Sequence, residues 1–261
     1  AGELLFQLNV RGQGPGEYTD INAFAVNASL HQLVIYDNMK QSLMFYSTED
    51  GRFDKSEKFN KPTPAEIAYW GGYFFYHNRL HRNYQDDISL HYYLLASKDG
   101  ITIGKRYFKH ENNKEDYPFS PSGHNLYDNN SKLYYCRDFD NIVYQIHEDS
   151  VVPRFRINLP NPLPASMIEE RPNEMSLLRS GYSLGITDIY EYGGLLFFRF
   201  VKDGYIWSCL YNVEESKQVY CTKRIKFLDS SLIDTIDGIY KDCFYSILTP
   251  EYLDYAFSEN P

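Results

Sequence analysis

The sequence predicts an all-β fold, a β-propeller of four-stranded antiparallel blades, and three observations lead to that prediction. Aromatic residues make up 17% of the 261 residues, with 25 Tyr and 17 Phe but 4 Met, which favours half-buried sheets over helix bundles. Short alternating apolar segments are separated by turns rich in Asn, Asp and Gly. Equivalent turns fall at Gly51, Gly100 and Ser150, 49 and 50 residues apart, and a period near 50 with four strands per unit is typical of propeller blades.

A rigid loop at residues 11–18, with the sequence Arg-Gly-Gln-Gly-Pro-Gly-Glu-Tyr, precedes the first blade. Its three glycines supply backbone angles that other residues resist, and Pro15 fixes one φ. Alternating apolar residues lie on both sides of this glycine loop, so it is expected to join strand to strand. A phosphate-binding loop instead ends on a helix N-terminus, and we therefore predict a structural corner rather than a nucleotide site.

Five blades are visible in the alternation of strands and turns, and together they predict a single β-propeller domain over residues 1–261. An additional N-terminal strand is predicted at 3–10. The last blade lacks one or two strands, and propellers often close by completing that blade with a strand from the opposite terminus. The predicted blades span 21–59, 66–109, 123–159, 185–227 and 236–257.

One interval between blades is longer than the others. The turn at Ser216 follows its equivalent at Ser150 by 66 residues, about 16 more than the period of the earlier blades. The segment near 160–180 accounts for the excess, since its apolar pairs suit a helix and Pro172 interrupts them. We predict a short helical insertion there.

Charge and hydropathy exclude several classes of partner. The formal net charge of −9 and the pI near 5.3 disfavour nucleic acid, since no Lys/Arg cluster offsets them locally. No apolar run reaches the ~18 residues of a membrane helix, and no signal-peptide pattern is visible. We therefore expect no transmembrane segment.

The four cysteines lack the spacing of a metal site, but one pair allows a disulfide hypothesis. If Tyr205–Val213 and Lys217–Ile225 form a hairpin that turns near Glu215, Cys209 and Cys221 face each other across the ladder. Cross-strand neighbours lie ~4.5–5.5 Å apart at Cα, within disulfide range. Two free buried thiols are the alternative.

The glycine loop, followed by a strand and then by Ile35, Tyr36 and Asp37, resembles the six-bladed β-propeller lipoprotein family of Bacteroidetes, a relative of NHL-type propellers. The resemblance implies that a further blade and a lipidated export signal precede the loop, and neither is present in this sequence. It implies an exported protein of the periplasm or the outer-membrane surface, whose membrane association comes only from a lipid anchor outside this chain. Most members lack an assigned activity, so the resemblance supplies no catalytic residues.

In propellers, the loops between blades and those between second and third strands gather at one mouth of the central channel. Tyrosines in these loops offer stacking surfaces, and arginines can fork onto carboxylates. Structural roles compete with binding, since loop charges can hold the loops and tyrosines can cap contacts between blades. The candidate contacts are Arg11, Glu17, Tyr18, Asp37, Tyr84, Tyr117, Arg137, Asp138, Asp140 and Tyr182.

Function is less constrained than fold, because no catalytic triad or nucleophile motif can be assembled from the spacing. We expect a noncatalytic binding or scaffold protein of the cell envelope, contacting a glycan, a peptide or a partner protein. The alternative is a metal-dependent enzyme of lactonase or lyase type with its site in the central channel. In a third interpretation, this chain is one part of a larger ring or assembly. No cofactor is expected; calcium at residues 138–141 is considered, although Asp and Asn are also ordinary turn residues.

Overall fold

The structure, a computed structural model, describes residues 6–59, 63–78, 88–109, 124–129, 131–170, 172–223, 225–227, 231–233, 236–241 and 243–247. The chain divides into two compact units. The first unit is Ala1–Asp116 with His147–Asp149, and the second is Tyr117–Ile146 with Ser150–Pro261.

The first unit contains two four-stranded antiparallel sheets, in each of which consecutive strands pair as a meander. The first strands of the two sheets lie side by side, as inner strands of adjacent blades do. The first sheet comprises β1 (Ile21–Asn27), β2 (Gln32–Asp37), β3 (Ser42–Ser47) and β4 (Phe53–Lys58). The second sheet comprises β5 (Pro64–Trp70), β6 (Tyr73–Asn78), β7 (Tyr92–Ser97) and β8 (Ile103–Lys109).

The second unit repeats this plan with two more four-stranded meanders, followed by two small two-stranded sheets. The third sheet comprises β9 (Leu126–Asp128), β10 (Leu133–Cys136), β11 (Ile142–Ile146) and β12 (Val151–Arg156). The fourth comprises β13 (Ser183–Tyr192), β14 (Leu195–Lys202), β15 (Tyr205–Asn212) and β16 (Lys217–Thr222). The small sheets are β17 (Ile225–Phe227) with β18 (Ser231–Ile233), and β19 (Gly238–Tyr240) with β20 (Cys243–Tyr245).

Two short helices, α1 (Ala165–Glu169) and α2 (Glu174–Leu178), lie between the third and fourth sheets. Asn173 caps α2, because its side chain accepts a hydrogen bond from the Ser176 N–H. The segment 160–182 that contains both helices is called the helical insertion below. The two helices confirm the predicted short helical insertion.

The core of the first unit consists of apolar side chains that alternate along the strands and lie on one face of each sheet. Ala23 and Ala25 on β1 are small and buried, so β5 approaches closely, and Ile67 of β5 packs in the same cluster. Large aromatic residues of the second strands, Tyr36 and Tyr76, are fully buried there. The same sheet-on-sheet packing recurs in the second unit, where the third and fourth sheets share one apolar cluster.

The all-β class and the four-stranded antiparallel blades are confirmed, and the sheets with β19–β20 fit a count of five. Two details differ from the prediction. Residues 6–10, within the predicted strand 3–10, form no strand. The predicted strand Lys217–Ile225 ends at Thr222, because residues 225–227 pair with β18 instead of β15. The fifth blade contains two paired strands among the described residues, and 248–257 lies outside them.

Candidate functional site

In the first unit, the glycine loop closes on itself through backbone hydrogen bonds. The Gly12 N–H donates to the Tyr18 carbonyl at 2.9 Å, and the Tyr18 N–H donates to the Val10 carbonyl at 2.9 Å. Gly16 has φ of +75°, and a Cβ there would lie 2.8 Å from Cγ of Phe53. The loop is therefore a corner packed against the first sheet. It leads into β1 from residues 6–10, which form no strand, so the prediction that it joins strand to strand is wrong on its N-terminal side.

The carboxylates of the two acidic candidates in this region accept hydrogen bonds from backbone N–H groups of the loops. The Glu17 carboxylate accepts a hydrogen bond from the Gly14 N–H at 2.8 Å. Asp37, at the buried end of β2, accepts from the N–H of Thr19 at 2.5 Å and of Lys40 at 2.9 Å. Asp37 thus joins the glycine loop to the turn between β2 and β3.

Lys40 is a structural residue that the sequence analysis did not single out. Its ammonium donates to the carbonyls of Gly14 at 3.1 Å and of Glu17 at 2.5 Å. Position 40 lies in the turn between second and third strands, so topology places it near the loop. No local pattern in the sequence indicates that its side chain bonds these carbonyls.

Tyr18 and Arg11 differ in exposure. Tyr18 is half-buried and packs against Ile35, Met44 and Tyr46 on one face of the first sheet, whereas Arg11 is exposed. Burial, together with the nearby Asp37 and Tyr18, raises the pKa of Tyr46 to about 12, so this phenol stays protonated at neutral pH.

In the second unit, the turn after β10 brings three candidates together. Nη2 of Arg137 lies 2.6 Å from Oδ2 of Asp140, whose other oxygen accepts from the N–H of Asn141 at 2.7 Å and of Ile142 at 3.1 Å. Asp138 accepts from the side-chain amide of the buried Asn125 at 3.2 Å. Burial opposes the charge of Arg137, but the Asp140 carboxylate raises the pKa of the guanidinium above its ordinary value.

This turn lies against the start of the fourth sheet. Gly185 has φ of +108°, and a Cβ there would lie 2.8 Å from Cα of Phe139, a distance that only glycine permits. Phe139 and Tyr182 pack against the cluster of Leu177, Leu184 and Val201. The turn and the helical insertion therefore lie together at one end of these sheets.

The candidates fall into three groups. One group makes hydrogen bonds or ion pairs that hold loops and turns, and comprises Glu17, Asp37, Arg137, Asp138 and Asp140. Tyr18 and Tyr182 pack against apolar clusters, and Arg11 is exposed. Tyr84 and Tyr117 lie outside the described residues. Ligand binding by any of them, including calcium at residues 138–141, stays a prediction. Among the residues that the structure describes, no group of three or more His, Cys, Asp or Glu is arranged to hold a metal ion.

The cysteines have three different environments. Cys209 and Cys221 pair across β15 and β16 and form a disulfide, as the hairpin hypothesis predicts. Cys136 is a buried free thiol, and burial raises its pKa well above the ordinary value, whereas the free thiol of Cys243 is exposed. In the part of the chain that the structure describes, no helix has the length and apolar character to cross a membrane.

Comparison with solved structures shows a similar fold in a Bacteroides fragilis NCTC 9343 protein named as a candidate exported protein, with 16% identity and a TM-score of 0.66. The match covers 81% of this chain and 60% of that one, so the chain spans less than two thirds of that protein's length. A Bacteroides vulgatus ATCC 8482 member of the DUF4221 family aligns at 10% identity and a TM-score of 0.45, covering 82% of this chain and 70% of that one.

A comparison with curated proteins finds no match. The sequence does match one protein family along its full length, over residues 1–261. The chain therefore belongs to the family described as Domain of unknown function (DUF4934).

Proposed function

We propose that this protein is a noncatalytic binding or scaffold protein of the bacterial cell envelope, contacting a glycan, a peptide or a partner protein through loops at the sheet ends of either unit. The observation that carries the proposal is that the acidic side chains of the loops accept hydrogen bonds from the backbone. Glu17 and Asp140 accept hydrogen bonds from backbone N–H groups of their own loops. Asp37 accepts one from Lys40 in its own turn and one from Thr19, just after the glycine loop. Carboxylates held in this way suit a fixed surface better than proton transfer.

A fixed surface favours binding because less conformational entropy is lost when the ligand arrives. In the first unit, Lys40 and Asp37 hold the glycine loop in place, and the exposed Arg11 stands on that loop. In the second unit, the packed Tyr182 lies beside the turn of residues 137–141. An exposed guanidinium and a positioned phenol suit sugars, carboxylates and peptide groups.

Location in the envelope is part of the proposal. The Cys209–Cys221 disulfide is a bond that persists mainly in oxidising compartments. A protein of similar fold is named as a candidate exported protein. Membership of the six-bladed, NHL-like lipoprotein family of Bacteroidetes, with a lipid anchor outside this chain, belongs to the same proposal and is supported by the glycine loop.

A binding experiment tests the function. The purified chain is applied to an array of bacterial surface oligosaccharides and synthetic peptides, and affinities of the bound probes are measured by calorimetry. Arg11→Ala or Tyr182→Ala is expected to weaken binding at least about tenfold, which corresponds to about 1.4 kcal/mol. Glu49→Ala and Glu215→Ala change exposed turns after third strands, at the other end of the sheets, and serve as controls.

Two outcomes would contradict the proposal. Unchanged affinity in both loop variants would show that the ligand binds elsewhere. Cleavage of an array sugar or ester by the wild-type chain would favour the enzyme alternative. The support for location that comes from the disulfide is tested separately. The mass of the chain purified under non-reducing conditions should rise by that of two hydrogen atoms after reduction. An unchanged mass would show that the disulfide is absent and would remove this support for an oxidising compartment.

A further inference from the structure

The disulfide of the second unit lies where the fourth sheet loses its outer strand. Pairing of β15 with β16 ends with Cys209 opposite Cys221 and Ser208 opposite Thr222. Three residues after Thr222, at position 225, the chain begins β17, which pairs with β18. The covalent bond is therefore at the end of the hairpin, next to the point at which the chain passes from one sheet to another.

The hairpin has other bonds that keep it closed. Its two cysteines are 12 residues apart, and ladder pairing between their strands runs back to Asn212 and Lys217 at the turn. Closing a short loop costs less entropy than closing a long one, so a cross-link over this distance is not the main support of the fold. The sheet is therefore expected to persist when the disulfide is reduced. The bond mainly prevents the C-terminal end of β16 from separating from β15.

Lys223, the residue just after β16, depends on that end for its position. Its ammonium lies 3.7 Å from the centroid of the Tyr205 ring and 5.4 Å from that of the Trp207 ring. Alternation places both rings on the same face of β15 as Cys209. Lys223 and Tyr205 are exposed, and a cation–π contact at an exposed site is weak. The lysine therefore stays over the two rings only while β16 holds it there.

The two cysteines of the bond differ in accessibility. Cys209 is buried on a strand that is paired on both sides, whereas Cys221 is partly buried on the outer strand of its sheet. Thiol–disulfide exchange depends on access to the sulfur that is attacked, so Cys221 is the point of attack. The Cys136 thiol lies in the same apolar cluster, but burial raises its pKa and keeps it protonated, so it does not compete as a nucleophile.

We propose that the Cys209–Cys221 disulfide is a redox switch that determines whether Lys223 covers the rings of Tyr205 and Trp207. In the oxidised chain the end of β16 is fixed and the lysine lies over both rings. In the reduced chain the end of β16 separates from β15, the lysine leaves, and the two rings become a free aromatic surface at this end of the fourth sheet. The switch does not depend on which ligand the loops bind.

The reductant is a dithiol. Its first thiolate attacks the sulfur of Cys221 and forms a mixed disulfide, while Cys209 leaves as a thiolate and takes up a proton. The second thiol of the reductant loses its proton and attacks the reductant's own sulfur in the mixed disulfide, and Cys221 leaves and is protonated in turn. Two electrons pass to the chain, and the reductant becomes a disulfide.

Trp207 reports the state of the switch. The chain contains two tryptophans, so Trp70→Phe leaves Trp207 as the single fluorophore. This variant is treated with dithiothreitol without denaturant, and alkylation after denaturation should count two free thiols before reduction and four after it. Reduction should shift the Trp207 emission to the red and increase its quenching by acrylamide. Hydrogen exchange should become faster at residues 217–223 and stay unchanged in β13.

Variants in the Trp70→Phe background separate the switch from a structural bond. Lys223→Ser retains the disulfide but should show the quenching of the reduced chain, whereas Lys217→Ser, at the opposite end of β16, should still respond to dithiothreitol. Cys209→Ser with Cys221→Ser should resemble the reduced chain under both conditions, with circular dichroism verifying that the sheets are retained.

Three results would overturn the proposal. The first is a disulfide that dithiothreitol reduces only after the chain has been unfolded in urea. The second is a chain with four free thiols in which quenching of Trp207 has not changed. The third is an oxidised Lys223→Ser variant that is quenched as little as the oxidised parent, since the lysine would then not cover the rings.

Discussion

The glycine loop of the first unit and the helical insertion of the second are held by different forces. The glycine loop is held by hydrogen bonds within its own backbone and by those that the Lys40 ammonium donates to its carbonyls. The N–H of Thr19, just after the loop, donates to Asp37. The helical insertion is fixed mainly by apolar packing, with Leu177 buried against Leu184 and Val201. Both segments lie at loop ends of their sheets, yet they should respond to different perturbations.

This difference follows from the local sequence. A loop with three glycines has few side chains to bury, so its polar backbone must find partners or remain hydrated. The insertion contains Leu163, Leu177 and Leu178, which can replace such bonds with buried area. The glycine loop is therefore expected to be sensitive to loss of single polar groups, and the insertion to loss of single methyl groups.

The largest expected effect is on the insertion. Leu177→Ala removes a fully buried side chain and should lower the free energy of unfolding of the second unit by about 2–5 kcal/mol, because a cavity adds to the lost burial. Urea denaturation measures the change in the free energy of unfolding, and hydrogen exchange of peptides covering residues 174–184 shows whether the change is local to the insertion. The neighbouring Met175 is exposed, and Met175→Ala should change the free energy by less than about 0.5 kcal/mol. Equal effects in the two variants would show that packing does not hold the insertion.

The second effect is on the glycine loop. Lys40→Met keeps much of the aliphatic stem but removes the donor to two carbonyls, and should cost about 1.5–3 kcal/mol of unfolding free energy. Faster hydrogen exchange at residues 12–19 should accompany the loss. Lys217→Met, at an exposed position of β16, is the control and should leave both measurements unchanged. An unaltered loop in the Lys40 variant would leave Asp37 as its principal support.

Much of the fold follows from sequence because strand periodicity and turn chemistry are local. The Asp50–Gly51 and Asp99–Gly100 turns and the short helices could be placed from such signals. The end of β16 could not, because residues 225–227 are β-patterned whether they continue one hairpin or pair with β18. That choice depends on the partner strand, which local sequence does not encode.

The site was less predictable than the fold. Spacing placed Cys209 opposite Cys221 because a hairpin has a definite register. It also indicated that Glu17 could hold the loop, but not that Asp37 would accept two N–H groups across a turn. Contacts between loops far apart in sequence depend on the geometry of the whole sheet. Exposure is also hard to predict, because alternation places Phe24 on one face of β1 but does not indicate how much of that side chain is exposed.

The smallest expected effect separates backbone strain from crowding in the two regions. Gly16 and Gly204 have φ of +75° and +72°, so alanine at either position costs about 1–2 kcal/mol from the left-handed backbone. An added Cβ meets the Phe53 ring at position 16, whereas at position 204 nothing lies within 4 Å. Urea denaturation should therefore show a larger loss for Gly16→Ala than for Gly204→Ala. If the two losses were equal, the Phe53 ring would have moved at little cost, and the glycine loop would owe its position to hydrogen bonds rather than to contact with the sheet.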